Sequence, residues 1–274
     1  MSRQSSAILI SAGQLAQATD ATIVDCRFVL GQPDAGREAY LRGHIPGAHY
    51  LDLEKDLSAP VARHGGRHPL PDARQLTARL ASLGIHPGAR VVAYDDARFA
   101  FAARFWWLLR ALGYRPPELL DGGYAGWLAA GGAEEQAIPQ PEPCAMPTVE
   151  PYRGVVDITA LASLQSAGSP LLDSRDPARY AGLEEPLDPV AGHIPGALNL
   201  PWQAVSDAQG FLLDDARLSA HFAGLPEGRP RVVYCGSGVT ACVNLFALAR
   251  AGDESALLYA GSWSDWCSHL VADE

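Results

Sequence analysis

Cys235 is followed by Gly236-Ser237-Gly238-Val239-Thr240-Ala241, with the apolar run Val232-Val233-Tyr234 before it and an apolar-periodic stretch from Cys242 to Ala249 after it. This order reads as a strand end, a small-residue turn and a helix start. In such a turn successive backbone N–H groups can face the sulfur while the helix N-terminus adds positive potential, which favours thiolate over thiol. Two glycines within four residues of a strand-end cysteine serve no packing purpose, so the loop reads as a cradle for an anionic sulfur. A cysteine held this way could attack phosphorus or sulfur. Phosphoryl transfer calls for an arginine six residues on, because a planar fork matches phosphoryl oxygens in a bidentate way. Ala241 occupies that position. A cradle of backbone donors without a guanidinium suits a small, singly charged group such as a persulfide, and a phosphatase is the second reading.

The heptapeptide from Cys235 to Ala241 resembles the active-site loop of the 3-mercaptopyruvate sulfurtransferases within the tandem rhodanese family. Thiosulfate-specific relatives carry two basic residues where this chain has Gly236 and Ser237. The resemblance implies that Cys235 is the nucleophile that carries sulfur as a persulfide, with the backbone of Gly236, Gly238, Val239 and Thr240 holding its charge. It also implies a serine, histidine and acidic relay that manages the proton as pyruvate leaves. Ser237 matches the serine, His68 in Arg67-His68-Pro69-Leu70-Pro71 the histidine, and Glu54 stands where an aspartate is usual. Arg179 matches the arginine that binds the anionic substrate. A second arginine is usual after a Glu-Pro, where this chain has Glu185-Pro186-Leu187. No metal or organic cofactor is implied, and the acceptor is cyanide in an assay or a small thiol or thioredoxin-like protein in the cell.

A chain of 274 residues with 48% hydrophobic content is enough for two domains, each with its own core. A net charge of -10 with no basic block excludes an electrostatic footprint for nucleic acid. The N-terminal apolar run Ala7-Ile8-Leu9-Ile10 is too short for a signal-peptide core or a membrane span, so a soluble, cytoplasmic protein with a small-molecule sulfur donor is expected. Five cysteines without a C-x-x-C pair suggest neither a disulfide framework nor a zinc site. One reactive thiol among inert ones fits better, with Cys242 a core residue of the following helix.

The elements that must position Cys235 come in two copies. Ile23-Val24-Asp25-Cys26-Arg27 recurs as Leu171-Leu172-Asp173-Ser174-Arg175, and Gly43-His44-Ile45-Pro46-Gly47-Ala48 recurs as Gly192-His193-Ile194-Pro195-Gly196-Ala197. Short apolar strands alternate with helical stretches in each half, the pattern of a parallel sheet wrapped by helices. The expected class is therefore α/β, with two tandem rhodanese-like domains at 1–133 and 151–274. Residues 134–150, with Pro139, Pro141, Pro143 and Pro147, read as an extended linker. In the first half Tyr94-Asp95-Asp96 replaces the cysteine, and a carboxylate cannot carry transferable sulfur, so that half is a catalytically silent copy. Because both halves keep the histidine motif and only one keeps the cysteine, His44 and His193 are expected to shape turns, and Arg175, with its repeat partner Arg27, to make a structural ion pair. Three rival functions follow from the same residues: a thiosulfate sulfurtransferase, a phosphatase, and a non-catalytic module that binds sulfur.

Overall fold

The computed structural model describes residues 8–271, which leaves Ala7 of the N-terminal apolar run outside. The chain divides into two compact units. One comprises the residues before Pro60 together with Pro71–Arg153 and Ser206–Leu213; the other comprises Pro60–Leu70, Gly154–Val205 and the residues from Asp214 onward. A segment of each sequence half thus belongs to the unit built mainly by the other half. Residues 60–70, which carry His64, Arg67 and His68, belong to the unit of Cys235.

In the first unit β1 (Leu9–Ile10), α1 (Ala12–Leu15), β2 (Thr22–Asp25), α2 (Ala35–Arg42), β3 (His49–Tyr50), α3 (Ala73–Ser82), β4 (Val91–Tyr94), α4 (Ala102–Ala111), β5 (Glu118–Leu120) and α5 (Gly123–Ala129) follow in order. The second unit repeats the series as β6 (Val155–Val156), α6 (Ile158–Ser166), β7 (Leu171–Asp173), α7 (Pro177–Tyr180), β8 (Leu198–Asn199), α8 (Asp215–Phe222), β9 (Val232–Tyr234), α9 (Ala241–Arg250), β10 (Leu257–Tyr259) and α10 (Ser262–Ser268). The sheets run β1-β5-β4-β2-β3 and β6-β10-β9-β7-β8, every pair parallel. Element for element, the two orders are the same. Central strands β4 and β9 are buried along their whole length, which is why they read as continuous apolar runs. The helices that follow them, α4 and α9, bury every residue except Arg110 and Arg250, each in the last turn where a cation suits the helix dipole. No helix of the described residues is long and apolar enough to cross a membrane.

Each sheet carries a buried ion pair at the end of its second strand. Asp173 is fully buried and Arg175 nearly so, the guanidinium reaching the carboxylate at 2.7 Å and the Gly192 carbonyl at 2.6 Å. Asp25 and Arg27 repeat this, with Arg27 on the Gly43 carbonyl at 2.7 Å. Arg175 therefore ties the strand to the Gly-His-Ile-Pro-Gly turn, and Tyr234 Oη closes the same turn by accepting from Ile194 N at 3.1 Å. Burial, then the charge of Asp173, pushes the Tyr234 phenol far above its usual range, so it stays protonated. The imidazoles of His44 and His193 stack on Tyr40 and Tyr180 and bond the backbone carbonyl of the same tyrosine at 2.8 Å in each half. Both shape turns, as their repetition implies.

At the position of the missing nucleophile, Asp95 fills its own loop. Its carboxylate accepts from the N–H groups of Ala97, Phe99, Phe101 and Ala102 at 2.8–3.1 Å. The cradle is present in the first unit, but a side chain of the protein occupies it.

Removing Asp173 would leave the buried Arg175 charge with only the Gly192 carbonyl and Glu185, a carboxylate it shares with Arg179. Asp173→Ala is expected to lower stability by about 3–5 kcal/mol, read as a shift of the urea midpoint, whereas an exposed carboxylate such as Asp214 replaced by Ala is expected to cost about 1 kcal/mol through its lost helix cap.

Candidate active site

Cys235 directly follows β9 and Thr240 is the N-cap of α9, so the loop joins a buried strand end to a helix start. The sulfur-bearing residue is 2% exposed. The loop is held in shape by the turn after β10. Cys235 N–H donates to Ser262 Oγ at 3.1 Å, while Trp263 N–H and Ser264 N–H donate to the carbonyls of Cys235 and Gly236 at 3.0 and 2.9 Å. Ser262 sits at a φ of +58°, and its hydroxyl bonds the Tyr259 carbonyl at 2.9 Å, which fixes that unusual conformation.

Gly238 N–H points at Cys235 Sγ from 3.1 Å. Gly238 has a φ of +75°, and a Cβ there would lie 2.2 Å from the Ala260 carbonyl oxygen. Only glycine fits. Val239 and Thr240 continue the loop, their carbonyls accepting from Cys242 N and Val243 N at 3.1 Å as α9 begins. The other cysteines are free, and three of them are inert by environment: Cys242 is buried with its thiol on the Gly238 carbonyl, burial pushes Cys26 well up, and burial pushes Cys267 up to about 11.

Ser237 Oγ and His68 Nδ1 lie 2.7 Å apart, and both residues are more than nine-tenths buried. A hydroxyl hydrogen-bonded to an imidazole can pass a proton beside the sulfur. Glu54, the expected acidic member, is exposed in the first unit, its N–H donating to Asp52 Oδ1 at 2.9 Å. The buried carboxylate of that turn is Asp52, which also binds Lys55 N–H at 3.0 Å.

Arg179 lies beside the loop, and so does Arg67, whose role the sequence reading missed. A Cβ on Gly236 would lie 3.0 Å from Arg67 Nη2 and 3.3 Å from Arg179 Nη1, so two guanidiniums border the residue after Cys235. Two buried carboxylates aim them. Asp188 pairs with Arg67 and, at 3.1 Å, with Arg179; Glu185 pairs with Arg179 at 2.7 Å and with Arg175 at 3.3 Å. Arg179 Nε is buried with no hydrogen-bond partner among the described residues. Leu187 is 55% exposed and only its backbone N–H joins this cluster, donating to Glu185 Oε1 at 3.2 Å. The only sequence signal for Arg67 was its place immediately before His68.

The rhodanese-like domain model matches the chain twice, over residues 11–130 and 157–269. The chain belongs to the rhodanese family. A curated Pseudomonas aeruginosa protein whose name places it among the 3-mercaptopyruvate sulfurtransferases is 47% identical over 96% of this chain and 95% of its own. A Mycobacterium tuberculosis protein whose name places it among the thiosulfate sulfurtransferases is 42% identical over 95% of this chain and 94% of its own. The structure of 3-mercaptopyruvate sulfurtransferase from Leishmania major superimposes with a TM-score of 0.87 at 27% identity, covering 98% of this chain and 76% of that one. The curated relatives thus carry names of two kinds, one for each sulfur donor.

The two loop glycines are expected to respond differently to an added methyl group. Gly238→Ala meets a backbone carbonyl in a left-handed conformation that costs about 1–2 kcal/mol on its own, and should abolish sulfur transfer while circular dichroism shows a folded chain. Gly236→Ala meets only the tips of two arginines. It should raise KM several-fold and leave kcat close to that of the parent in steady-state assays.

Proposed function

We propose that the protein is a sulfurtransferase that takes sulfur from 3-mercaptopyruvate onto Cys235, releases pyruvate, and passes the sulfur to a thiol or cyanide. The observation that carries this reading is the pairing of an uncharged Gly236-Ser237 loop with two guanidiniums beside it. Mercaptopyruvate needs cations for a carboxylate held at a distance from the sulfur, and a proton donor for its departing carbon. Arg67 and Arg179 supply the first, and Ser237 with His68 the second. Arg67 takes the part that a second arginine at the position of Leu187 would play.

In the first step the Cys235 thiolate attacks the substrate sulfur and the carbon–sulfur bond breaks, its electron pair passing to carbon as the enolate of pyruvate. The proton of the substrate thiol moves through the Ser237 hydroxyl and His68 to that carbon, so pyruvate leaves and a Cys235 persulfide anion remains. Gly238 N–H, with the loop and the start of α9 behind it, faces the charge. In the second step a nucleophile such as cyanide or a thiolate takes the outer sulfur, and the electron pair of the sulfur–sulfur bond returns to Cys235. A thioredoxin-like protein fits as a cellular acceptor, in the reducing cytoplasm where a free thiol persists.

Thiosulfate remains the second donor to consider, because of the relative so named. Its dianion would gain from basic loop residues, which Gly236 and Ser237 do not provide.

Intact mass after incubation with mercaptopyruvate is expected to rise by one sulfur on the parent and not on Cys235→Ser. Arg179→Ala and Arg67→Ala should each raise KM for mercaptopyruvate by about 10- to 150-fold, the equivalent of a charge-assisted hydrogen bond of about 1.5–3 kcal/mol. Higher kcat/KM with thiosulfate than with mercaptopyruvate would overturn the donor assignment and leave the persulfide chemistry standing.

A further inference from the structure

Away from Cys235, the second unit gathers two histidines and an aspartate at one point. One nitrogen of His64, one of His269 and a carboxylate oxygen of Asp265 all lie within 4.8 Å of one another. The imidazoles stack face to face with centroids 4.1 Å apart, so their in-plane lone pairs converge on one ion only after the exposed His269 ring turns off the stack; its Nε2 is 3.5 Å from Asp265 Oδ1. His64 comes from the 60–70 segment, whereas Asp265 lies in α10 and His269 caps its C-terminus. Ligands about 200 residues apart in the chain leave no motif to read.

The hydrogen bonds around this cluster prepare it for a cation. Ser268 Oγ donates its only proton to the Asp265 carbonyl at 2.6 Å, so at 2.7 Å it can only accept from His64 Nδ1–H. That fixes the tautomer in which His64 Nε2 carries a lone pair, the arrangement a metal-ligating imidazole needs. Asp265 is 6% exposed and held by Gly65 N–H on Oδ1 at 2.7 Å and Tyr259 Oη on Oδ2 at 2.6 Å. Among the described residues no lysine or arginine pairs with it, so a buried carboxylate faces two imidazoles without a fixed positive charge.

We propose that His64, Asp265 and His269 bind a divalent transition-metal ion of the zinc class, and that its occupancy fastens the loop carrying Arg67 and His68 to α10. Two imidazole nitrogens and one carboxylate oxygen are a borderline donor set, suited to zinc or cobalt rather than to calcium or magnesium. Three protein ligands leave the fourth position to water. The loop already leans on the helix: Arg67 N–H donates to Ser264 Oγ at 3.1 Å, and Gly66, at a φ of +82°, packs where a Cβ would lie 2.4 Å from the Gly261 carbonyl oxygen. A metal bridging His64 to α10 locks one end of a span whose other end is Arg67 and His68. The site is separate from the thiol chemistry and does not depend on which donor Cys235 uses.

The test is titration of the chelator-treated full chain with cobalt(II), followed by absorption, and with zinc(II), followed by thermal unfolding. One equivalent of cobalt should give the visible bands of a four-coordinate nitrogen and oxygen site without a thiolate charge-transfer band, and Cys235→Ser should leave them unchanged. His64→Ala and His269→Ala should each weaken cobalt binding at least about tenfold and abolish the zinc-induced rise in Tm. His64→Gln, which keeps a side chain of similar reach, should weaken it likewise; unfolding curves without metal establish that each variant is folded. Absence of saturable binding, a thiolate band lost with Cys235, or affinity unchanged in folded histidine variants would each overturn the proposal.

Discussion

A ladder of alternating charges leads from the sheet of the second unit to its cysteine loop. Asp173 holds Arg175, Arg175 shares Glu185 with Arg179, and Arg179 shares Asp188 with Arg67. Asp173, Arg175, Glu185 and Asp188 are all but fully buried, where an unpaired charge would be costly, so each member fixes the place of the next. The consequence is preorganisation: the two guanidiniums beside Gly236 are aimed before any substrate arrives. Glu185 and Asp188 do this by bonding part of each guanidinium, while Arg67 Nη2 and Arg179 Nη1 border Gly236.

The first unit shows what the same backbone does without a nucleophile. Its loop after β4 turns the N–H groups of Ala97, Phe99, Phe101 and Ala102 onto the Asp95 carboxylate. In the second unit the loop after β9 presents Gly238 N–H to sulfur. An anion cradle is thus a property of the strand, turn and helix, and the residue at the strand end decides whether it serves structure or chemistry. The ion pairs Asp25–Arg27 and Asp173–Arg175 are equally common to both units, which marks them as structural parts.

The repeat, the alternating strand and helix pattern and the cysteine loop between strand and helix were legible in the sequence because each depends on neighbours in the chain. β-Branched runs make buried parallel strands wherever they fall, and Gly238 is required by a turn only a few residues long. The burial of Cys242 was legible, since it lies in the apolar-periodic stretch that becomes α9. Burial of a particular carboxylate was not. Asp52 and Glu54 stand two apart in one turn, yet the fold encloses the first and exposes the second.

What the sequence by itself determined is the scaffold: two parallel-sheet repeats, one loop with a cysteine and one without. Tertiary structure decided which charges meet. Arg67 reaches the site through a segment that packs with the second unit, Leu187 turns to solvent where an arginine was expected, and His64 joins Asp265 and His269 from the far end of the chain. The reason is physical: a backbone cradle is built from adjacent residues with fixed geometry, whereas a cluster of side-chain charges depends on where long, flexible groups from separate segments end after the cores have packed.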